Sequence, residues 1–226
     1  MKILAIETSM GRTSAALSLE PGAPMLVRRL PEGKPQAEGL IPLIGELMEA
    51  AGVAFPSLDR IAVSIGPGGF SGIRTGVAAA RGLGLAADVP VVGATSFKIM
   101  AAAFESEVNA PAAYGLAAPA GLSAVFCQIV ARGCKALSEI LALPHGEVAS
   151  FFEGRAEMIA GPAANMLSEG GSVSVPVRGA GIVPDAEVLA AIAPGLDPTR
   201  DLPSPYYVRP ADARPQAGHV IARKAD

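Results

Sequence analysis

A glycine-rich stretch, SIGPGGFSGIRTG at residues 64–76, separates an apolar run from a helix-like run and limits the folds available to this chain. The preceding run, residues 60–65, predicts a strand, and the following run predicts a helix from about residue 72 to residue 87. Glycine is costly inside regular structure and useful where the backbone turns tightly or approaches another group. The stretch therefore predicts a strand–loop–helix unit of an α/β protein whose loop closely contacts a phosphate or another piece of protein.

The phosphate interpretation rests on the N–H groups at a helix N-terminus, which attract anions. The loop lacks the lysine of the GxxxxGK[ST] motif, and Gly66, Gly68 and Gly72 do not have GxGxxG spacing. No cofactor is required, and only weak binding of ATP or ADP stays open. The residues of that nucleotide hypothesis lie in the loop and after the first predicted strand: Glu7, Thr8, Ser9, Gly68 and Gly69.

The helix after the loop carries a row of small residues, Gly72, Gly76, Ala80 and Gly84, spaced four apart and so on one face. Such a row lets another backbone come close, whether from this chain or from another subunit. A second predicted helix, residues 36–51, has an apolar stripe and ends at Gly52. The candidate partner interface combines the two helices: Leu40, Leu43, Ile44, Leu47, Gly72, Ile73, Gly76, Ala80 and Leu83.

Composition narrows the possible partners. The net charge is −3 and no basic stripe is visible, which disfavours direct binding of nucleic acid. Charged residues make up only 17% and mean hydropathy is +0.41, so either the core is unusually complete or some apolar surface meets a partner. The uncharged tract 108–131 contains prolines and glycines and predicts two buried strands rather than a membrane span. Cys127 and Cys134 form no CxxC motif and fit a reducing cytoplasm.

The order of predicted elements is three strands, a helix, and then alternating strands and helices as far as Phe104. The second half has weaker signals, including a strand at 172–177 and a helix at 184–193. This order predicts an α/β protein with mixed sheets. The chain divides near residue 105 into lobes 1–105 and 106–226.

Several segments resemble the bacterial TsaB family, formerly called YeaZ. They are MKILAIETS, TSAALSL, SIGPGGFSGIRTGVAAARGLGLA, GATSF and, near the C-terminus, PYYVRPADARP. The strong match covers about residues 1–100. The resemblance implies an actin-like, ribonuclease-H-like (ASKHA) fold of two lobes, each a mixed sheet flanked by helices. This sequence departs from the family pattern at Gln36-Ala37 and at Pro119-Ala120-Gly121, which leaves any ligand or partner contact at those places in doubt.

The resemblance also implies a function in making threonylcarbamoyladenosine (t6A) in tRNA. The chain would be the non-catalytic partner and activator of TsaD, its metal-bearing paralogue, with TsaE joining a larger complex and tRNA met only through that complex. In this family the helices equivalent to 36–51 and 72–87 form the joint, either with TsaD or with a second copy, so a homodimer is expected when the chain is alone.

Two enzymatic functions are alternatives to this non-catalytic one. An ASKHA phosphotransferase or ATPase places an acid after the first strand, where this chain has Glu7, but the turn at 119–121 lacks the second acid. A glycoprotease-like hydrolase needs clustered metal ligands, whereas His145 and His219 are far apart in sequence. No catalytic or metal-ligating residue is therefore assigned.

Overall fold

The computed structural model describes residues 1–20, 22–31, 34–171 and 173–208. The first lobe contains, in chain order, β1 (Ile3–Glu7), β2 (Ser14–Ser18), β3 (Leu26–Arg29), α1 (Gln36–Ala51), β4 (Arg60–Ser64), α2 (Phe70–Ala87), β5 (Val91–Ala94) and α3 (Ser96–Glu107). Its sheet has the order β3-β2-β1-β4-β5. β1 pairs antiparallel with β2 and parallel with β4, so the sheet is mixed, as predicted.

The first sheet is buried on both faces because alternate residues of β1 point to opposite sides. Leu4 and Ile6 face α1 and α2 in one apolar cluster. Ile3 and Ala5 belong to a second cluster on the other face. This explains why β1 is a continuous apolar run rather than an alternating one.

The second lobe contains β6 (Ala113–Pro119), β7 (Ala124–Ala131), β8 (Lys135–Ala136), β9 (Leu141–Pro144), α4 (Val148–Phe152), β10 (Ile159–Ala160), α5 (Ala164–Glu169) and α6 (Ala186–Ile192). Its sheet has the order β10-β6-β7-β8, and β9 also pairs with β7. α3 packs against this sheet through Phe97 and Phe104, so it joins the two lobes.

The last helix in the described part of the chain, α6, returns to the first sheet instead of staying with the second. Leu189 packs on the face of the first sheet opposite α1 and α2. Arg60 in β4 donates from Nη1 to the carbonyl oxygens of Ala193 and Leu196, both at 2.6 Å. The division near residue 105 therefore assigns α6 to the second lobe, whereas the structure packs it on the first.

Helix ends follow local signals closely. α1 begins and ends at the predicted residues, and Gly52 closes it with a φ of 63°. α2 begins at Phe70, two residues earlier than predicted. Thr95 caps α3, because its side-chain oxygen accepts from the Lys98 N–H at 3.1 Å.

The predicted strand at 172–177 is not formed within its described part, 173–177. That segment contributes a single bridge, Val177 to Ile159. Proline has no N–H for a ladder, and Pro176 lies in this segment and only accepts, from the Ile159 N–H at 2.9 Å. Tract 108–131 forms β6 and β7 as expected, and no helix in the described part of the chain is both long and apolar enough to cross a membrane.

Candidate functional site

The glycine-rich loop is held by hydrogen bonds from its own chain. The Ser96 N–H and hydroxyl donate to the carbonyl oxygens of Gly66 and Pro67, at 2.8 and 2.6 Å. The Gly69 N–H donates to the carbonyl oxygen of Ser9 at 2.7 Å. The loop is therefore fastened both to the start of α3 and to the turn that follows β1.

The close contact that the glycines permit is with the turn after β1. A Cβ placed on Gly68 would overlap the carbonyl of Ser9, and one placed on Gly72 would overlap the carbonyl oxygen of Thr8. A Cβ on Gly76 would overlap the Thr8 hydroxyl, which donates to the Gly72 carbonyl oxygen at 2.7 Å. Gly68, Gly72 and Gly76 therefore accommodate the turn after β1 of the same chain.

The row of small residues on α2 thus lies inside the protein. At its far end, a Cβ on Gly84 would overlap the side chain of Val91 in β5. Leu83 of the candidate interface is partly buried against the same core. The other candidate interface residues are fully buried: Leu40, Leu43, Ile44, Leu47, Gly72, Ile73, Gly76 and Ala80. This corrects their predicted position, because they face the first sheet and each other rather than outward.

The outward sides of α1 and α2 carry a different set of residues. Ile41 is 52% exposed and Leu85 is 87% exposed. A Cβ on Gly45 or Gly82 would meet nothing within 4 Å, and Ala78 beside Gly82 is exposed. We call these five residues the outer surface of α1 and α2.

Charge is divided between the two helices on this side. The exposed charged residues of α1 are acidic, Glu38, Glu46 and Glu49, whereas those of α2 are basic, Arg74 and Arg81. α1 of one molecule is therefore complementary in charge to α2 of another molecule with the same pattern.

Glu7 lies at the end of β1 and is completely buried, as are Thr8 and Ser9. Its Oε1 accepts from the Ser9 N–H at 2.5 Å and from the Ser9 hydroxyl at 2.6 Å. Its Oε2 has no partner among the described residues. Burial raises the pKa of the Glu7 carboxyl above its ordinary value, and the bonds from Ser9 oppose that rise only in part. The acid of the nucleotide hypothesis is thus enclosed by its own turn.

A cleft of about 680 Å³ lies between the lobes. One wall is formed by Gly68, Gly69 and Phe70, and the facing wall includes Pro119, Gly121 and Phe126. None of the described residues that line it is charged. Gly68 and Gly69 of the nucleotide hypothesis therefore line the cleft, whereas Glu7, Thr8 and Ser9 lie behind the wall.

The third wall is made by the last described residues, Tyr206, Tyr207 and Val208. The Tyr207 ring lies 5.2 Å from the Phe70 ring, and its hydroxyl accepts from Arg74 Nε at 3.1 Å. The sequence reasoning did not assign a function to this group. The i, i+4 spacing of an aromatic and an arginine at 70 and 74 was the available signal. The family-like segment after residue 208, including His219, lies outside the described residues.

The described residues do not form a metal site, and their histidine and buried cysteine are not grouped with other catalytic side chains. They contain no group of three or more His, Cys, Asp or Glu side chains placed to hold a metal ion. His145 lies in a short turn before α4. Cys127 is buried, and burial raises the pKa of its thiol to about 12, which disfavours a thiolate nucleophile.

Residues 33–178 match the family model described as tRNA N6-adenosine threonylcarbamoyltransferase, TsaD. The tRNA threonylcarbamoyladenosine biosynthesis protein TsaB of Haemophilus influenzae is 34% identical over 106 residues, covering 46% of this chain and 44% of that protein. TsaB of Escherichia coli is 29% identical over 101 residues, covering 45% and 43%. The matched stretch thus spans less than half of either curated relative.

The structural comparison covers far more of the chain. A Pseudomonas aeruginosa protein, described as uncharacterized with similarity to peptidase YEAZ, superposes with a TM-score of 0.76 at 25% identity. The match includes 92% of this chain and 99% of that one. The actin-like, ribonuclease-H-like fold class with two lobes is therefore confirmed.

Proposed function

Because this chain belongs to the TsaB/YeaZ family, a relative of TsaD, we propose that it acts in tRNA threonylcarbamoyladenosine biosynthesis. In this proposal it is the non-catalytic partner and activator of TsaD, which performs the transfer to tRNA. TsaE joins the pair, tRNA is met only through the complex, and the complex is cytoplasmic.

The observation that carries this proposal is the outer surface of α1 and α2. Ile41 and Leu85 are large apolar side chains left in water, and Gly45 and Gly82 leave room for a second backbone to approach each helix. The acidic side of α1 and the basic side of α2 are complementary in charge to a partner that has the same pattern on its two equivalent helices. A second copy and the paralogue TsaD fit this description equally, so the proposal includes a homodimer that TsaD displaces.

The cleft and the Glu7 turn support the non-catalytic assignment, in which the partner TsaD performs the transfer reaction. Phosphoryl transfer needs charged groups and metal ligands that face the substrate. Here Glu7 is enclosed by Ser9, and the described lining of the cleft carries no charge.

Gly82→Leu tests the proposed surface directly. Position 82 has open space, so the monomer folds, but the new side chain holds a partner's backbone away from α2. Overpacking costs about 1–3 kcal/mol, so we expect affinity for the cognate TsaD, measured by calorimetry, to fall about tenfold or more. Mass spectrometry of tRNA nucleosides from a complemented deletion strain then shows reduced t6A.

Gly146→Leu is the matched control. Position 146 is exposed in the second lobe and also has open space around it. This variant should bind TsaD and restore t6A like the wild type. If Gly82→Leu binds TsaD with unchanged affinity, the outer surface is not the joint.

A second candidate function is weak binding of ATP or ADP in the cleft. Two observations favour it: the cleft volume of about 680 Å³, and the N-terminus of α2, which has no side-chain cap and begins beside Gly68 and Gly69. Calorimetric titration with ADP and Mg²⁺ tests it. Saturable heat that is lost in Phe70→Ala supports a site in the cleft, and the absence of heat at millimolar ADP refutes it.

A further inference from the structure

Residues 201–208 form a strap across the first lobe. The Gly93 N–H donates to the carbonyl oxygen of Asp201 at 2.8 Å, and the Tyr206 N–H donates to the carbonyl oxygen of Ile65 at 2.8 Å. Gly93 lies in β5 and Ile65 directly follows β4. Two backbone hydrogen bonds therefore fasten the strap near the ends of the neighbouring strands β5 and β4, and the chain that follows β4 forms a wall of the cleft.

Three side chains fasten the end of the strap to α2. The Arg74 guanidinium lies 3.7 Å over the Phe70 ring, and Phe70 in turn packs on the Tyr207 ring. Arg74 Nε also donates to the Tyr207 hydroxyl at 3.1 Å. We call Phe70, Arg74 and Tyr207 the latch.

The latch contacts two regions at once. Phe70 and Tyr207 line the cleft, so their positions set its width. Phe70 and Arg74 are also exposed on α2, and Ala78 follows Arg74 by one helical turn on the same side. A molecule seated on the outer surface of α1 and α2 therefore reaches the latch.

We propose that partner binding on this outer surface is coupled to closure of the strap over the cleft through the latch. A partner that covers Arg74 removes the water that competes for the Arg74–Tyr207 hydrogen bond, and so holds the strap closed. Coupling of this kind is reciprocal, so a loosened strap weakens the partner's binding by the same factor. The coupling rests on the proposed function, whereas the latch does not.

The latch is tested without a partner by comparing Tyr207→Phe with Tyr206→Phe. Both variants replace one hydroxyl by hydrogen in adjacent residues, but only Tyr207 holds Arg74. Hydrogen exchange of the N–H at position 206 reports opening of the strap. We expect it to become about tenfold faster in Tyr207→Phe, as for the loss of one hydrogen bond, and to stay within about twofold in Tyr206→Phe. Unchanged exchange in Tyr207→Phe overturns the latch.

Arg74→Met provides a second variant, because it keeps an unbranched stem and removes the donor. It should reproduce the faster exchange of Tyr207→Phe while the melting temperature stays near that of the wild type. If Arg74→Met leaves exchange at position 206 unchanged, the Arg74–Tyr207 bond does not hold the strap.

The coupling is tested by adding the cognate TsaD. We expect exchange at position 206 to slow in the wild type, and Tyr207→Phe to bind TsaD several-fold more weakly than Tyr206→Phe does. If a complex forms and exchange at position 206 does not change, the coupling is overturned and the proposed function stands. If no complex forms, the proposed function fails, and the coupling fails with it.

Discussion

The substitution Gly72→Ala tests the internal packing of α2 against the turn after β1. The added Cβ overlaps the carbonyl oxygen of Thr8, which is backbone and cannot rotate away. Moving Thr8 breaks the hydrogen bond from its hydroxyl to the Gly72 carbonyl oxygen and the 3.3 Å bond that Gln36 Nε2 donates to the Thr8 carbonyl oxygen. Gly82→Ala is the matched change on the outward side of the same helix, where a Cβ meets nothing within 4 Å.

The two alanines should shift stability in opposite directions. At position 82 alanine stabilises by about 0.5–1 kcal/mol, because glycine weakens a helix interior by that amount. At position 72 the same gain is outweighed by overpacking of about 1–3 kcal/mol and by unsatisfied buried groups at about 1–3 kcal/mol. We therefore expect a net loss of about 1–5 kcal/mol.

Urea unfolding followed by far-ultraviolet circular dichroism measures both changes, since the chain has no tryptophan. The midpoint should fall for Gly72→Ala and rise for Gly82→Ala, with unchanged slopes. If Gly72→Ala unfolds at the wild-type midpoint or above it, then α2 does not rest on the Thr8 turn, and the assignment of its inner and outer sides is refuted.

Two further changes probe a buried and a partly buried side chain of the first lobe. The raised pKa of Glu7 gives the wild type stability that is present below the ordinary carboxyl pKa of 4.5 and lost as pH rises toward the folded-state value. Glu7→Gln has no such loss, so its unfolding free energy relative to the wild type should increase from about pH 4 to pH 7; a difference that is flat with pH contradicts this. Arg60→Met removes both bonds to the carbonyls after α6, and hydrogen exchange in α6 should become faster, whereas unchanged exchange means that Arg60 does not hold this helix.

Local signals were sufficient for much of the first lobe. α1 has a clear apolar period and a glycine directly after its last turn, so both of its ends were predicted. The last of the helices expected before Phe104 is formed as α3, and Thr95 caps its start. The order of strands and helices then predicted an α/β protein with a mixed sheet, whereas the actin-like fold of two lobes was implied only by the family resemblance.

The inner and outer sides of α2 could not be assigned from sequence. The buried row, Gly72, Gly76, Ala80 and Gly84, and the exposed pair, Ala78 and Gly82, are both rows of small residues. What separates them is the turn at Thr8, more than 60 positions earlier in the chain, which meets only the first row. No local pattern records that contact.

Burial of the Glu7 turn and the return of α6 are also non-local. The sequence of the turn, Glu7-Thr8-Ser9, is polar and suggests an exposed segment. Its burial depends on the glycine-rich loop, which folds back so that Gly68 contacts Ser9. The strand expected at 172–177 contains a proline, and the unpredicted α5 is a short segment flanked by glycine and proline, so both have weak local signals.

The position of α6 determines when this protein can complete its folding during synthesis. Among the described residues, the face of the first sheet that contains Ile3 and Ala5 is covered by Leu189 and its neighbours in α6, together with Ile99 of α3. Until the ribosome has released α6, a newly made first lobe exposes part of this apolar face to the cell. The first strands of the chain therefore complete their packing only when α6 has been made, and a chain that stopped before residue 186 would leave part of this face open to water.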